Sequence, residues 1–447
     1  MDLTKGSVTK TMLRFTLPIL LMNVINQAYS IADGVITARF ISTRALSVVS
    51  AAVAALIVGY CLLTGAANAC ALLVARLYGE GDRQRLRGAV LMLAWSSLAV
   101  SALLSAVYVV FAGGIVRASQ VPSEIAADCE TLVRLYAVGF IPTLFSQVGV
   151  AVLNGMGDSK SPTVICVSTQ LLNIALNLLA VLVLNLGLWG VVWASVFSVA
   201  VNAALAWYRV RRALRGERGA SGMAESLRRY ALLALPSMLQ QSVMSFGNLL
   251  LQVLVNRQGV DCINGYSVGS NLYNLLILVV ISCCTGYETF AAQNLGAEQP
   301  ARVRAGFRSL LLGGTGVCGA LMLLMIFCSD FLISFYLTEP LDPAFIFARQ
   351  FLLLMIPNLF LTLYKYGLDA VFKANLKVYL FTISSLISLG ARVVFSYDAF
   401  GVLGPTVLAV GTVFGTGTAL VFNLAVFLAR CRQMGFASAE KNAYNNE

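Results

Sequence analysis

Long apolar stretches alternate with short polar segments along the whole chain. A bilayer-spanning helix needs about 20 apolar residues, and the first half contains six such runs, at residues 13–38, 46–75, 88–116, 131–153, 163–186 and 189–208. Six more follow a polar stretch, at residues 230–255, 264–292, 306–337, 346–371, 377–398 and 402–429. The pattern predicts an all-α integral membrane protein with twelve transmembrane helices.

The second set of six spans repeats landmarks of the first set in the same order. The matched positions are Pro18 with Pro236, Arg39 with Arg257, Arg85 with Arg302, Pro142 with Pro357, and Gly187 with Gly401. Because each half has an even number of spans, the repeats share one orientation and are related by a pseudo-twofold axis along the membrane normal. Such a repeat is typical of transporters that open a cavity between two bundles to one side at a time.

The repeat also predicts the domain boundaries and the orientation. Residues 1–208 form an N-lobe, 209–229 an arginine-rich cytoplasmic linker, 230–430 a C-lobe and 431–447 a cytoplasmic tail. If the N-terminus is inside, 23 basic residues lie on the inner side of the membrane and six on the outer side. The positive-inside rule therefore predicts that both termini are cytoplasmic.

Composition supports the membrane assignment and excludes several other classes. Hydrophobic residues make up 59% of the 447, charged residues 11%, and the mean hydropathy is +0.82, whereas soluble domains have about 25% charged residues. The net charge of +11 lies mostly in loops and does not indicate a nucleic-acid partner. Because the chain has no His, no CxxC motif and no Walker A motif, we expect neither an enzyme nor a cofactor.

Few ionisable residues lie within the first six spans, and such residues are functional candidates by default. Asp33 in span 1 has no basic residue three or four positions away, so hydrocarbon burial favours its protonated form. Two interpretations stay open: a proton or cation site, or a buried acid that holds helices together. Asn173 and Asn177 share one face of span 5, with Gln170 nearby and Ser195 in span 6. These side chains either supply oxygens to a cation or join helices by hydrogen bonds.

The second half carries more charge within its spans. Lys365 and Asp369 are spaced i,i+4 and can pair on one face of span 10, and Arg392 in span 11 can join them. A structural ion pair and a functional cluster both remain open. Glu288 in span 8 faces either the cavity or the inner interface.

Aromatic side chains in the spans suit a cationic ligand, although packing is the alternative role for each of them. Those considered are Tyr29, Phe246, Tyr266, Tyr273 and Tyr287. The residues expected to line a substrate cavity are Tyr29, Gln170, Phe246, Asn248, Tyr273, Glu288, Lys365, Asp369 and Arg392.

Several short motifs together resemble the multidrug and toxic compound extrusion (MATE) transporters, in the branch of bacterial DNA-damage-inducible F-type and related multidrug pumps. The motifs are Leu235–Ser242, Gly247-Asn248, Ala291–Ala297, Val74–Asp82 and Leu153–Pro162. The resemblance implies two lobes in a V shape and export of organic cations in exchange for protons or sodium. It also implies a monomer in the cytoplasmic (inner) membrane of a bacterium, with the lipid bilayer as surroundings.

The resemblance also assigns site residues. The span 1 acid of the family falls on Asp33, the span 5 polar pair on Asn173 and Asn177, and the span 6 hydroxyl on Ser195. Sodium would bind at Asp33, Asn173 and Asn177. Some relatives have Asp where Asn177 stands, which weakens the case for sodium and leaves Asp33 as the main proton-coupling candidate.

Other functions are weighed against this one. A flippase for lipid-linked oligosaccharides has a related architecture but should have a more basic cavity, whereas only Lys365 and Arg392 are evident. A membrane enzyme needs a clustered catalytic set that the sequence does not offer. A channel is disfavoured by the two-lobe repeat.

Overall fold

The computed structural model describes residues 2–40, 43–215, 219–337 and 339–434, without the side chains of 30–40, 43, 45–46 and 432–433. Within these ranges every regular element is helical. The helices of the first half are α1 (Val8–Phe40), α2 (Thr43–Glu80), α3 (Arg83–Ala118), α4 (Ser123–Val138), α5 (Phe140–Gly155), α6 (Lys160–Leu178) and α7 (Gly187–Ala213). Those of the second half are α8 (Met223–Asn256), α9 (Val260–Gly296), α10 (Pro300–Ser334), α11 (Pro343–Leu354), α12 (Ile356–Ala374), α13 (Val378–Asp398), α14 (Phe400–Leu403) and α15 (Val407–Arg430).

The number of spans agrees with the sequence prediction. Eleven helical segments in the described ranges are long and apolar enough to cross a membrane, and α11 with α12 makes a twelfth, bent by 40°. The all-α fold with twelve spans is therefore confirmed. Within the predicted linker, residues 209–229, α7 continues to Ala213 and α8 begins at Met223.

Two of the repeated prolines follow breaks in the fourth span of each half. The helix is interrupted at Gly139 just before Pro142, and at Met355 just before Pro357. A proline lacks an N–H and its ring clashes with the preceding turn, which favours a break there. The Gly139 carbonyl at this break accepts both the backbone N–H of Thr143 at 3.1 Å and its hydroxyl at 2.7 Å.

Contacts divide the chain into two compact units. Unit 1 is Leu17–Ser245, and unit 2 is Asp2–Thr16 together with the chain from Phe246 onward. The border falls inside two helices, since α1 enters unit 1 after Thr16 and α8 enters unit 2 after Ser245. The predicted lobes follow the count of spans, whereas the units follow contacts, and the two divisions differ at the first parts of α1 and α8.

In unit 1, the helices α2, α3 and α7 pack around α5, and the first part of α8 lies against α2. Gly65 makes this contact possible: a Cβ at this position would lie 2.5 Å from the Cα of Met238. The segment leading into α8 is held by Arg85, whose guanidinium donates to Glu225 at 2.7 Å.

In unit 2, α9 packs against α10, α11 and α12, and α15 packs against α12 and α13. The segment leading into α1 is held by Arg302, which donates to the carbonyls of Gly6 at 2.8 Å and Leu3 at 3.3 Å. Leu3 is fully buried. Arg85 and Arg302 are matched positions of the repeat, so each holds the segment that brings a helix from the other half of the sequence into its unit.

Candidate functional site

A neutral polar cluster joins α1 and α6 in unit 1. The hydroxyl of Tyr29 donates to Asn173 Oδ1 at 2.8 Å, and Asn177 Nδ2 donates to the same oxygen at 2.9 Å. Asn173 and Asn177 are 4% and 0% exposed. The two asparagines share a helix face as their spacing predicts, and one carbonyl oxygen gathers donors from two helices.

Two further sets of polar contacts extend along α6. Gln170 Nε2 donates to Asn26 Oδ1 on α1, and the Cys166 thiol donates to the same atom at 3.2 Å. In the second set, Asn202 Nδ2 donates to Thr169 Oγ1 at 2.8 Å, and the Ser146 hydroxyl donates to Asn202 Oδ1 at 2.6 Å. Helices α1, α5, α6 and α7 of unit 1 are thus joined by amides, hydroxyls and a thiol.

The other predicted coupling residues are placed less fully. Asp33 lies in α1, but its side chain is outside the described residues. Ser195 lies on α7 and is half-buried. No hydrogen bond joins Ser195 to Tyr29, Asn173 or Asn177 in the part of the chain that the structure describes. The roles of these residues therefore stay predictions.

Unit 2 contains a buried ion pair on α12. Lys365 Nζ lies 2.8 Å from Asp369 Oδ2, and the two side chains are 5% and 1% exposed. Asn423 on α15 donates to Asp369 Oδ1 at 2.8 Å and to the Lys365 carbonyl at 3.3 Å. The burial favours a structural ion pair over residues that line a cavity, because neither charge is open to a ligand.

Glu288 also has a basic partner. Lys373 Nζ on α12 lies 3.1 Å from Glu288 Oε2 on α9. The same ammonium lies 4.1 Å from the ring centroid of Phe381, and Lys365 Nζ lies 5.7 Å from it. The aromatic ring therefore contacts both lysines, and Glu288 is compensated within its own unit.

Arg392 does not lie in the Lys365 pair but faces α8. Its Nη1 donates to Asn248 Oδ1 at 3.3 Å. Tyr273 is 6% exposed and accepts at its hydroxyl a bond from Asn358 Nδ2 at 2.8 Å. Phe246 is 63% exposed. The nine predicted cavity residues are divided between the units, with Tyr29 and Gln170 in unit 1 and the other seven in unit 2.

Sequence reasoning missed several residues of these clusters, among them Asn26, Lys373, Asn202 and Asn423. For two of them, the spacing in the sequence could have predicted the location. Asn26 precedes Tyr29 by three positions, and Lys373 follows Asp369 by four, so each shares a helix face with a predicted site residue. Asn202 and Asn423 lie on helices whose packing the sequence does not specify.

The described residues include no cluster of three or more His, Cys, Asp or Glu side chains arranged to hold a metal ion. The polar groups around Asn173, Asp369 and Glu288 are of other kinds. Each is built from amides or from one carboxylate with a lysine.

Comparison with known proteins identifies the family. The MatE family model matches residues 18–179 and again residues 236–397, so both halves match the same model and the predicted repeat is confirmed. The "Probable multidrug resistance protein YoeA" of Bacillus subtilis (strain 168) is 24% identical over 356 residues, covering 75% of each chain. The "FAD transporter" of Shewanella oneidensis is 23% identical over 416 residues, covering 90% of this chain and 89% of its own.

A solved structure, described as MATE in complex with MaL6, has the same fold. It covers 98% of this chain and 99% of its own with a TM-score of 0.89 and 17% sequence identity. The family model covers well over half of the chain, and the fold, the repeat and the twelve spans agree with it. The chain therefore belongs to the MatE family and is a MATE transporter, not an enzyme.

Proposed function

We propose that this protein is a secondary antiporter that exports organic cations and drugs in exchange for protons, by alternating access between two lobes. Asp33 takes up and releases the coupling proton. The relative named as a probable multidrug resistance protein supports a drug cargo. The charge pattern supports an inner-membrane protein with both termini in the cytoplasm, and we propose that it works as a monomer.

The hydrogen-bond cluster around Asn173 is the observation that carries this proposal. Tyr29 precedes Asp33 by four positions in α1, so the two residues share a face of that helix. The cluster consists of a phenol and two amides, which accept or donate a hydrogen bond without a change in charge. Such groups suit the neighbourhood of an acid that alternates between its charged and neutral forms.

Proton and cargo are coupled if the inward-open and outward-open states differ in their affinity for each of them. Protonated Asp33 donates a hydrogen bond, whereas the carboxylate only accepts, so the bonds around α1 and α6 differ between the two forms. A proton shifts the equilibrium between inward-open and outward-open states if it binds one of them more tightly. An exported cation that favours the other state is then exchanged for the proton.

Sodium coupling is the alternative within this mechanism. An amide at Asn177 offers one neutral oxygen where an Asp would offer a charged carboxylate, and Na⁺ prefers anionic oxygen ligands. Asp33 is then the only acid of the set Asp33, Asn173, Asn177 and Ser195. The composition of this set favours the proton.

An oligosaccharide flippase is supported less well by the charges of unit 2. A lipid-linked pyrophosphate needs exposed cationic groups. Lys365 and Lys373 are each within 3.1 Å of an acid, so neither offers an uncompensated positive charge to such a ligand.

Transport into proteoliposomes tests the proposal. The protein is reconstituted, a fluorescent rhodamine methyl ester serves as the cationic probe, and a pH gradient is imposed with and without sodium. Wild type should move the dye with the pH gradient alone. Asp33→Asn should abolish this movement, whereas the control Asp261→Asn, an exposed acid at the start of α9, should retain it. Full coupled transport by Asp33→Asn contradicts the mechanism.

A further inference from the structure

Arg392 differs from the two lysines of unit 2 described above. Lys365 and Lys373 each lie beside an acid, at 2.8 and 3.1 Å. Arg392 lies well inside α13, yet it has no acid within salt-bridge distance among the residues that the structure describes. A charge in a membrane span is costly without a partner and is a functional candidate by default.

The groups around Arg392 are polar but uncharged. Its Nη1 donates to Asn248 Oδ1 at 3.3 Å, and the hydroxyl of Tyr266 is within hydrogen-bonding reach. The Nε atom is buried and has no hydrogen-bond partner among the described residues. One donor of the guanidinium is therefore unused, and the positive charge is not neutralised by the protein.

Close helix packing holds these groups in place. Gly247 on α8 lies directly against α13, since a Cβ there would be 2.2 Å from Leu389 Cδ1. Five residues beyond Arg392, the Tyr397 hydroxyl donates to the Leu250 carbonyl at 3.1 Å. Asn248 and Arg392 are thus kept side by side by contacts on both sides of them.

Two further contacts fix the arginine and the tyrosine. Gly415 on α15 packs behind α13, because a Cβ at that position would lie 2.7 Å from Arg392 Cβ. The ring of Tyr266 packs edge-on against Phe351 with 5.3 Å between centroids. Packing therefore holds the base of the Arg392 side chain and the ring of Tyr266.

All three side chains can donate to the same ligand. A guanidinium only donates, Asn248 uses its oxygen for Arg392 and keeps its NH₂ group, and a tyrosine hydroxyl has a proton to donate. A positive charge with surrounding donors matches a carboxylate or phosphate. Asn248 is exposed and Arg392 is partly exposed, so a ligand can reach the group.

We propose that Arg392, Asn248 and Tyr266 bind an oxyanion of the transported compound, either a carboxylate or a phosphate. The substrates then include zwitterionic and anionic amphiphiles as well as simple cations. This assignment rests on the exporter function proposed above and specifies the substrate class of that function.

Equilibrium binding to the purified full-length protein in detergent tests the assignment without any ion gradient. One probe pair is a rhodamine with a free carboxylate and its methyl ester; the other is flavin mononucleotide and riboflavin, which differ by a phosphate. Fluorescence polarisation reports both. Arg392→Gln should weaken binding of the carboxylate dye, the flavin phosphate or both by about tenfold or more. It should not weaken binding of the partner that lacks the anionic group, which is the cationic methyl ester in one pair and neutral riboflavin in the other. The pair that responds identifies the anion.

Control variants make the result specific. Arg430→Gln removes an exposed guanidinium that donates to Tyr379 in the same unit, and it should change no affinity. If Arg392→Gln does not fold, Asn248→Ala and Tyr266→Phe replace it, and each should weaken anion binding by about two- to fivefold. Equal losses for both members of each pair, or no loss for either, would overturn the assignment.

The binding result and the transport result are independent. If the methyl ester is exported along a pH gradient but anion binding does not depend on Arg392, the exporter function stands and the oxyanion site is wrong. If anion binding depends on Arg392 but no dye follows the gradient, the oxyanion site stands and the coupled export is wrong.

Discussion

The two units differ in the interactions that satisfy their buried polar groups. In unit 1, the contacts among Tyr29, Asn173 and Asn177 are hydrogen bonds between neutral groups. In unit 2, Lys365 and Asp369 form a buried ion pair completed by an amide. A neutral network rearranges at low cost when one proton is added nearby, whereas a buried charge requires its partner at all times. The comparison supports the proposal that coupling lies in unit 1, with a fixed scaffold at this pair in unit 2.

The repeat shows that the ion pair is not a property of the shared scaffold. By the alignment of the halves, Lys365 and Asp369 on α12 correspond to Val150 and Asn154 on α5. The two helices occupy matching places after matching breaks. The same fold therefore forms with a valine and an amide at these positions, so the pair is specific to the second half.

The largest effect is expected when the ion pair of unit 2 is broken. Lys365→Met leaves the Asp369 carboxylate buried with only Asn423 as a donor, and should destabilise the protein by about 3–5 kcal/mol. SDS titration followed by circular dichroism measures the loss. The double variant Lys365→Met/Asp369→Leu removes both charges and should recover most of it. If Lys365→Met is as stable as wild type, the buried Asp369 carboxylate does not need its lysine partner.

A smaller loss is expected from the neutral network of unit 1. Asn173→Ala removes an oxygen that accepts two hydrogen bonds, and should cost about 1 kcal/mol because each neutral bond between membrane helices contributes little. Tyr29→Phe removes one of these bonds and should cost about half as much. The same SDS titration compares them with Lys365→Met. If Asn173→Ala is as destabilising as Lys365→Met, the contrast between the units fails.

The smallest effect is expected from an ion pair of the same spacing at the surface. Arg134 and Glu130 on α4 are i,i+4 and 2.6 Å apart, but the side chains are 52% and 34% exposed. Arg134→Gln should change stability by about 0.5 kcal/mol or less, because water replaces the lost partner. A loss comparable to that of Lys365→Met would show that burial does not set the cost.

The sequence predicted what depends on the bilayer and on neighbours along one helix. The twelve spans follow from the length of apolar chain that a membrane requires. The pairs Asn173 with Asn177 and Lys365 with Asp369 follow from one helical turn. The fold and these local contacts were therefore accessible without a structure.

Contacts between helices were not accessible in this way. Asn423 reaches Asp369 from α15, and Asn202 joins Ser146 to Thr169 across α5, α6 and α7. Arg392 was expected beside Lys365, but the packing of Gly247 against α13 places it beside Asn248. Such partners depend on how helices far apart in sequence pack, and a pattern along one helix does not contain that information.

The contrast between the units is tested most directly by driving dye efflux with a pH gradient in two variants reconstituted side by side. Asp33→Asn changes the proposed coupling acid, and Lys365→Met/Asp369→Leu removes the buried charges of unit 2 together. The account predicts that Asp33→Asn shows no gradient-driven efflux of the rhodamine methyl ester while the double variant keeps it. Efflux retained by Asp33→Asn and lost by the double variant would contradict it.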